Sequence, residues 1–166
     1  GANGEMDLRD LRTGQIRPLA KQRWFGAGFS PDGRQIAFFR RTNDVYELRI
    51  VGVDGSAERM LWQAEKGWAA WEAQWFPDGK RIMVSVWIAE DRNRLVAISA
   101  SDGAATTLWE GKHLRDPQLS PDGKSAVDTR RVREDPAADE LWLLRFEDRS
   151  EALLFDRGRK AAVGAA

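Results

Sequence analysis

The sequence predicts an all-β chain built from four-stranded antiparallel units, and three repeated markers predict it. The first is a tight turn between apolar runs. It is Ser30-Pro31-Asp32-Gly33 in GFSPDGRQIAFF, Phe76-Pro77-Asp78-Gly79 in QWFPDGKRIMVSV, and Ser120-Pro121-Asp122-Gly123 in QLSPDGKSAVDT. The prolines stand 46 and 44 residues apart. The second marker is Leu61-Trp62, Leu108-Trp109 and Leu154-Phe155, at steps of 47 and 46 residues. The third is a second turn, at Thr13-Gly14, Asp54-Gly55 and Asp102-Gly103, replaced in the last unit by Glu147-Asp148-Arg149. A shared period of about 40 to 50 residues is the length of one propeller blade. The expected architecture is a partial β-propeller: about three four-stranded antiparallel blades plus a half-blade at the N-terminus, all in one segment spanning 1–166.

The elements follow in order. Residues 5–20, EMDLRDLRTGQIRPLA, read as the third and fourth strands of a blade whose first two are missing. Residues 21–64 form a complete blade. GAGF is its first strand, and Ser30-Pro31-Asp32-Gly33 its first turn. Pro31 presets φ, Asp32 bonds the local backbone, and Gly33 accepts a positive φ. In RQIAFFR, Ile36 and Phe38 point one way and Ala37 and Phe39 the other, so this strand is expected to be covered on both faces. RTND is a loop, VYELRIVGV the third strand, Asp54-Gly55 a turn, and AERMLW the fourth strand. Residues 65–110 repeat the plan with EAQW, KRIMVSV, RLVAISAS and TTLW. Residues 111–156 repeat it with DPQL, KSAVDT, a polar loop RRVREDPAAD, ELWLLRF and EALLF; residues 157–166 are a tail. The second strand of each blade is expected to begin near Arg34, Lys80 and Lys124.

Composition narrows the function. Lys plus Arg and Asp plus Glu are each 26, so the formal charge is zero. That argues against a nucleic-acid or anionic-membrane partner held by bulk electrostatics. With no Cys, disulfides and thiolate metal sites are excluded, and cytosol and periplasm fit equally. No apolar run has the length of a membrane span, and GANGEMDLRD has neither the basic start nor the apolar stretch of a secretion signal. Eight Trp stand against one Tyr. Trp suits both packing between blades and stacking on a ligand.

A nucleophilic hydrolase needs Ser or Cys beside a base. His113 is the one His, there is no G-x-S-x-G, and Ser30 and Ser120 sit in turns where the middle copy has Phe76. No catalytic residue is expected. Neither is a metal or cofactor: Asp32, Asp78 and Asp122 are explained by their turns, and the carboxylates of EDRN and REDPAADE are not at calcium-loop spacing. Blade geometry instead gathers Trp24, Phe25, Arg40, Arg41, Trp68, Trp71, Trp87, His113, Arg115, Arg130 and Arg131 at one mouth of the central channel. Aromatics beside arginines suit a peptide or sugar site. One residue breaks the pattern. Counted from the turn glycine, Phe38 and Val84 share a position with Asp128. A buried carboxylate there needs a partner, and Arg115, Arg130 and Arg131 are near in sequence.

The run FSPDGRQIAF…LRIVGVDGSAERML, with its siblings LSPDGK and FPDGKRI, resembles the TolB-like β-propeller repeat over about residues 5–156. It is also similar to blades in the gating propellers of prolyl oligopeptidase-type serine peptidases and in bacterial sensor and regulator proteins. The resemblance implies a non-catalytic protein- or peptide-binding or scaffolding module, with a periplasmic setting as one option. Its alternatives are a substrate-gating propeller of a serine peptidase and a sensor domain of a kinase or transcription regulator. Three and a half blades are too few for closure, since propellers typically have about four to eight. The chain is therefore expected to be part of a larger propeller, with self-association through its open blade edges next and a stable open arc as the third option.

Overall fold

The computed structural model describes residues 6–20, 24–89, 92–131 and 139–156. Among them are fourteen strands in four antiparallel sheets. The half-blade pairs β1 (Met6–Arg9) with β2 (Ile16–Ala20). Blade 1 is β3 (Trp24–Phe29), β4 (Gln35–Thr42), β5 (Val45–Gly52) and β6 (Arg59–Gln63). Blade 2 is β7 (Ala69–Trp75), β8 (Arg81–Ala89), β9 (Arg92–Ser99) and β10 (Ala105–Lys112). Blade 3 is β11 (Gln118–Leu119), β12 (Ser125–Arg131), β13 (Asp139–Arg145) and β14 (Glu151–Asp156). Each blade is a meander in chain order, and the set does not close into a ring.

The turns fold as their chemistry dictates. The Ser30 hydroxyl donates to Asp32 Oδ1 at 2.6 Å and accepts from the Gln35 amide at 2.9 Å, while the Arg34 amide donates to Asp32 at 3.0 Å. The third copy repeats this with Ser120 and Asp122. These hydrogen bonds hold both carboxyls below the usual Asp range, the serine hydroxyl contributing most. The middle copy has no hydroxyl at Phe76. There Arg81 pairs with Asp78 at 2.9 Å and lies over the Phe76 ring at 4.1 Å. Gly33, Gly79 and Gly123 close the three turns at φ 68°, 65° and 70°.

Two boundaries differ from expectation. The second strands start one residue later, at Gln35, Arg81 and Ser125. Arg34, Lys80 and Lys124 still accept ladder bonds from Val53, Ala100 and Phe146. RTND is also tighter than a loop. Thr42 pairs with Val45, leaving Asn43 and Asp44 at φ 50° and 64°. Two left-handed residues make the hairpin turn whose twist matches the strands. The polar loop of the third blade falls mostly on residues outside those described.

The core lies between blades, so β4 is covered on both faces as its sequence requires. Ile36 and Phe38 pack toward the half-blade with Val51, Leu8 and Leu19. Ala37 and Phe39 pack toward blade 2 with Leu48, Ile50, Ile82, Val84 and Val86. A third layer joins blade 2 to blade 3 through Met83, Leu95, Ala97, Ala126 and Leu144. Full burial of Phe38 and Phe39 contributes on the order of 2–3 kcal/mol each. The first strands of neighbouring blades run side by side. Trp75 Nε1 donates to the Gly28 carbonyl at 3.1 Å, and Gln74 bridges Pro117 and Leu119 at 2.6 and 2.8 Å. A Cβ on Gly28 would stand 2.6 Å from the Ala73 carbonyl oxygen, so this approach requires glycine.

Candidate functional site

Blade 3 meets blade 2 through a polar cluster that blades 1 and 2 do not share. Asp128 on β12 is fully buried. Its Oδ1 accepts the Arg115 amide at 3.0 Å and its Oδ2 accepts Arg130 Nε at 3.1 Å. The partner that the sequence asked for is thus present. Burial nonetheless pushes the Asp128 carboxyl above its ordinary range, against both hydrogen bonds and the Arg130 charge. Arg130 is held on every side. Its guanidinium lies 5.3 Å from the Trp109 ring and 4.6 Å from the Trp142 ring, and its NH2 donates to Glu151 at 2.7 Å.

Beside this stack a cleft of about 500 Å³ opens between β10 and the outer strands of blade 3. Lys112, His113 and Arg149 line it together with Glu110, Glu140 and Glu151. The carboxylates are engaged: Glu110 with Arg94 at 2.8 Å, Glu140 with the Trp142 indole at 2.9 Å, and Glu151 with Arg130. Lys112 and Arg149 are exposed.

A second carboxylate is placed by a break in register. Strand β7 shifts between Trp71 and Gln74, as β3 shifts between Phe25 and Gly28. Such bulges re-aim a side chain. The residues at the shift are Gly26 at φ 59° and Glu72 at φ 62°. They stand five residues before Pro31 and Pro77, and Asp116 holds the same place before Pro121. Burial pushes the Glu72 carboxyl up to about 7, helped by the charges of Asp116 and Asp128. A carboxyl with a raised native pKa binds its proton more tightly folded than unfolded, so stability is lost as pH climbs from about 4.5 to about 7. Glu72→Gln removes that loss. The variant is expected to gain about 1–2 kcal/mol over the parent at pH 8, discounted for partial exposure, and almost nothing near pH 4.5. Urea unfolding at the two pH values measures it; an equal difference at both would refute the raised pKa.

The residues expected at one mouth are distributed as follows. Trp24 packs on the Ile36 and Phe38 layer, and Phe25 stacks on Phe39 at 5.7 Å. Arg40 lies on β4 and pairs with Glu58 at 2.9 Å, while Arg41 pairs with Asp44 at 2.9 Å and lies over Tyr46. Trp68 packs on the blade 1–blade 2 core under Arg94. Trp71 and Trp87 lie on β7 and β8, half-buried. His113, at φ 62°, and Arg130 come together at the cleft, with the exposed Arg115 nearby through Asp128. Arg131 ends β12, and its side chain lies outside the described residues. Trp109, Glu110, Lys112, Glu140, Trp142, Arg149 and Glu151 complete the cleft, and the sequence marks none of them as a site residue, Arg149 standing there only in the last unit's turn. Trp109 stood there as a repeat marker and Trp142 as one more strand aromatic. Among the described residues, no group of three or more His, Asp or Glu could hold a metal ion, and no helix could cross a membrane.

Four-stranded radial sheets with their first strands adjoining define a partial β-propeller. Among solved structures its fold is TolB-like. It matches TolB from Acinetobacter baumannii with a TM-score of 0.75 at 19% identity, over 94% of this chain and 39% of that one. An oligogalacturonate lyase from Vibrio parahaemolyticus matches with a TM-score of 0.76 at 15% identity, over 94% and 43%. An acylaminoacyl peptidase from Pyrococcus horikoshii matches with a TM-score of 0.68 at 16% identity, over 91% and 28%. This chain thus spans less than half the length of each. No protein-family model and no curated protein sequence matches it.

Proposed function

We propose that this chain is a non-catalytic propeller segment that binds protein or peptide, with the cleft between blades 2 and 3 as its contact surface. The observation that carries this reading is the composition of the cleft. Its carboxylates are engaged by Arg94, Trp142 and Arg130, and the exposed Lys112 and Arg149 remain at its rim. Such a surface favours an extended peptide carrying acidic side chains, held against a wall made rigid by the Trp–Arg–Trp stack. Peptides selected from a random library and titrated by calorimetry test it. The expected affinity is micromolar, about 8 kcal/mol. Lys112→Glu with Arg149→Glu should lose it, and a double variant that binds unchanged would sink the proposal. The likeness to the acylaminoacyl peptidase favours a second reading, a propeller that gates a peptidase domain. It differs in expecting the channel, not the outer cleft, to meet the peptide.

A further inference from the structure

The half-blade carries a different kind of site, and strand register exposes it. In blade 1 the strand beside β5 is β4, where Phe39 lies opposite Leu48 and Ala37 opposite Ile50. All four enter the core against blade 2, together with Leu61 of β6. The half-blade supplies Leu8 and Leu19 to the next layer back, against Ile36, Phe38 and Val51. Leu8 and Leu19 thus do for blade 1 what Ile50 and Leu61 do for blade 2, as the matching bulges and the partners Arg17 and Arg59 show. Among the described residues β1 pairs with β2 alone, and none stands beside it as β4 stands beside β5.

A cavity of about 360 Å³ stands in that place, lined chiefly by Leu8, Leu11, Leu19, Trp24, Phe29 and Ile36. It is continuous with the packing of the half-blade on blade 1. Leu11 is 92% exposed and Phe29 57%, so two large apolar side chains stand in water at its rim. Asp7 and Arg9 alternate with Leu8 along β1, opposite Pro18 and Ile16, and they border the cavity at its β1 edge. A strand set beside β1 would meet the apolar side chains of the cavity and, among the described residues, an unpaired row of backbone donors and acceptors.

We propose that this notch takes a β-hairpin of the repeat's own kind, two apolar strands joined by a Pro-Asp-Gly turn. The second strand of the hairpin pairs antiparallel with β1, as β4 pairs with β5 and β8 with β9. The ladder supplies affinity, and alternate apolar side chains filling the cavity supply selectivity.

The probe is a fluorescein-labelled peptide with the sequence of residues 69–89, titrated into the full chain and followed by anisotropy. Saturable binding is expected, with slower hydrogen exchange of the β1 amides. Leu8→Asp should weaken binding about tenfold or more, because it sets a charge in an apolar cavity. Ile16→Asp, on the far face, should leave it unchanged and reports whether the half-blade tolerates substitution. No saturable binding overturns the proposal. So does binding that Leu8→Asp leaves intact, which would place the peptide at another edge such as β14. A dimer by light scattering that Leu8→Asp dissociates and the peptide does not would assign the notch to a second copy, and also overturns it.

Discussion

Asp128→Ala is expected to lower the unfolding free energy by about 2–4 kcal/mol, near the loss seen when one partner of a buried ion pair is removed. Two groups lose an acceptor, the Arg115 amide and Arg130 Nε. Arg130 cannot turn outward to water, because the Trp109 and Trp142 rings flank its guanidinium and its side chain is 12% exposed. It keeps Glu151 at 2.7 Å, which holds the loss below the upper end of that class. Blade 2 shows the apolar alternative. Counted from the turn glycine, Val84 and Val86 occupy the places of Asp128 and Arg130, and both are fully buried. The double variant Asp128→Val with Arg130→Val should therefore recover to within about 1 kcal/mol of the parent, since swapping a buried pair for packed side chains is often neutral. Urea unfolding of the parent, both single variants and the double measures the coupling. If Asp128→Val alone is as stable as the parent, the buried pair contributes nothing.

The same residues show what a sequence can carry. The turns were legible because their chemistry is local: a hydroxyl, a carboxylate and a glycine within four positions determine the bonds formed there. The two-faced packing of β4 was legible because alternation reports burial directly. Asp128 could be marked because the repeat supplied its own comparison, and of the three nearby arginines its side-chain partner is Arg130. Glu72 could not be marked. Its exposure to Asp116 and Asp128 depends on a slip in register against β8, and a slip leaves no trace in residue type. The cleft was only half visible for a related reason. Trp109 and Trp142 flank Arg130 from different blades, and contacts across blades follow the stacking of sheets, not the order of residues.

Gly103→Ala should be far more damaging than Gly55→Ala, although the two glycines stand at one place in the repeat. Both follow Asp in the turn between the third and fourth strands, and both have positive φ, 76° and 85°. Each alanine therefore bears the same left-handed cost of about 1–2 kcal/mol. Their surroundings separate them. The atom nearest a Cβ on Gly55 is the far end of the Leu19 side chain at 4.0 Å. A Cβ on Gly103 would run into the backbone carbonyl of Leu61, on the outer strand of blade 1. A side chain can turn aside, but the backbone carbonyl of a buried strand residue moves only if blade 1 and blade 2 shift apart along the layer that buries Leu61, Val96 and Ile98. The added cost is of the overpacking kind, about 1–3 kcal/mol, so Gly103→Ala should total about 3 kcal/mol or more. The left-handed cost is common to both, so at roughly 2–4 °C per kcal/mol for a chain of this size the added cost should separate their melting temperatures by about 2–12 °C. Equal melting temperatures would mean that blades 1 and 2 do not meet at that turn.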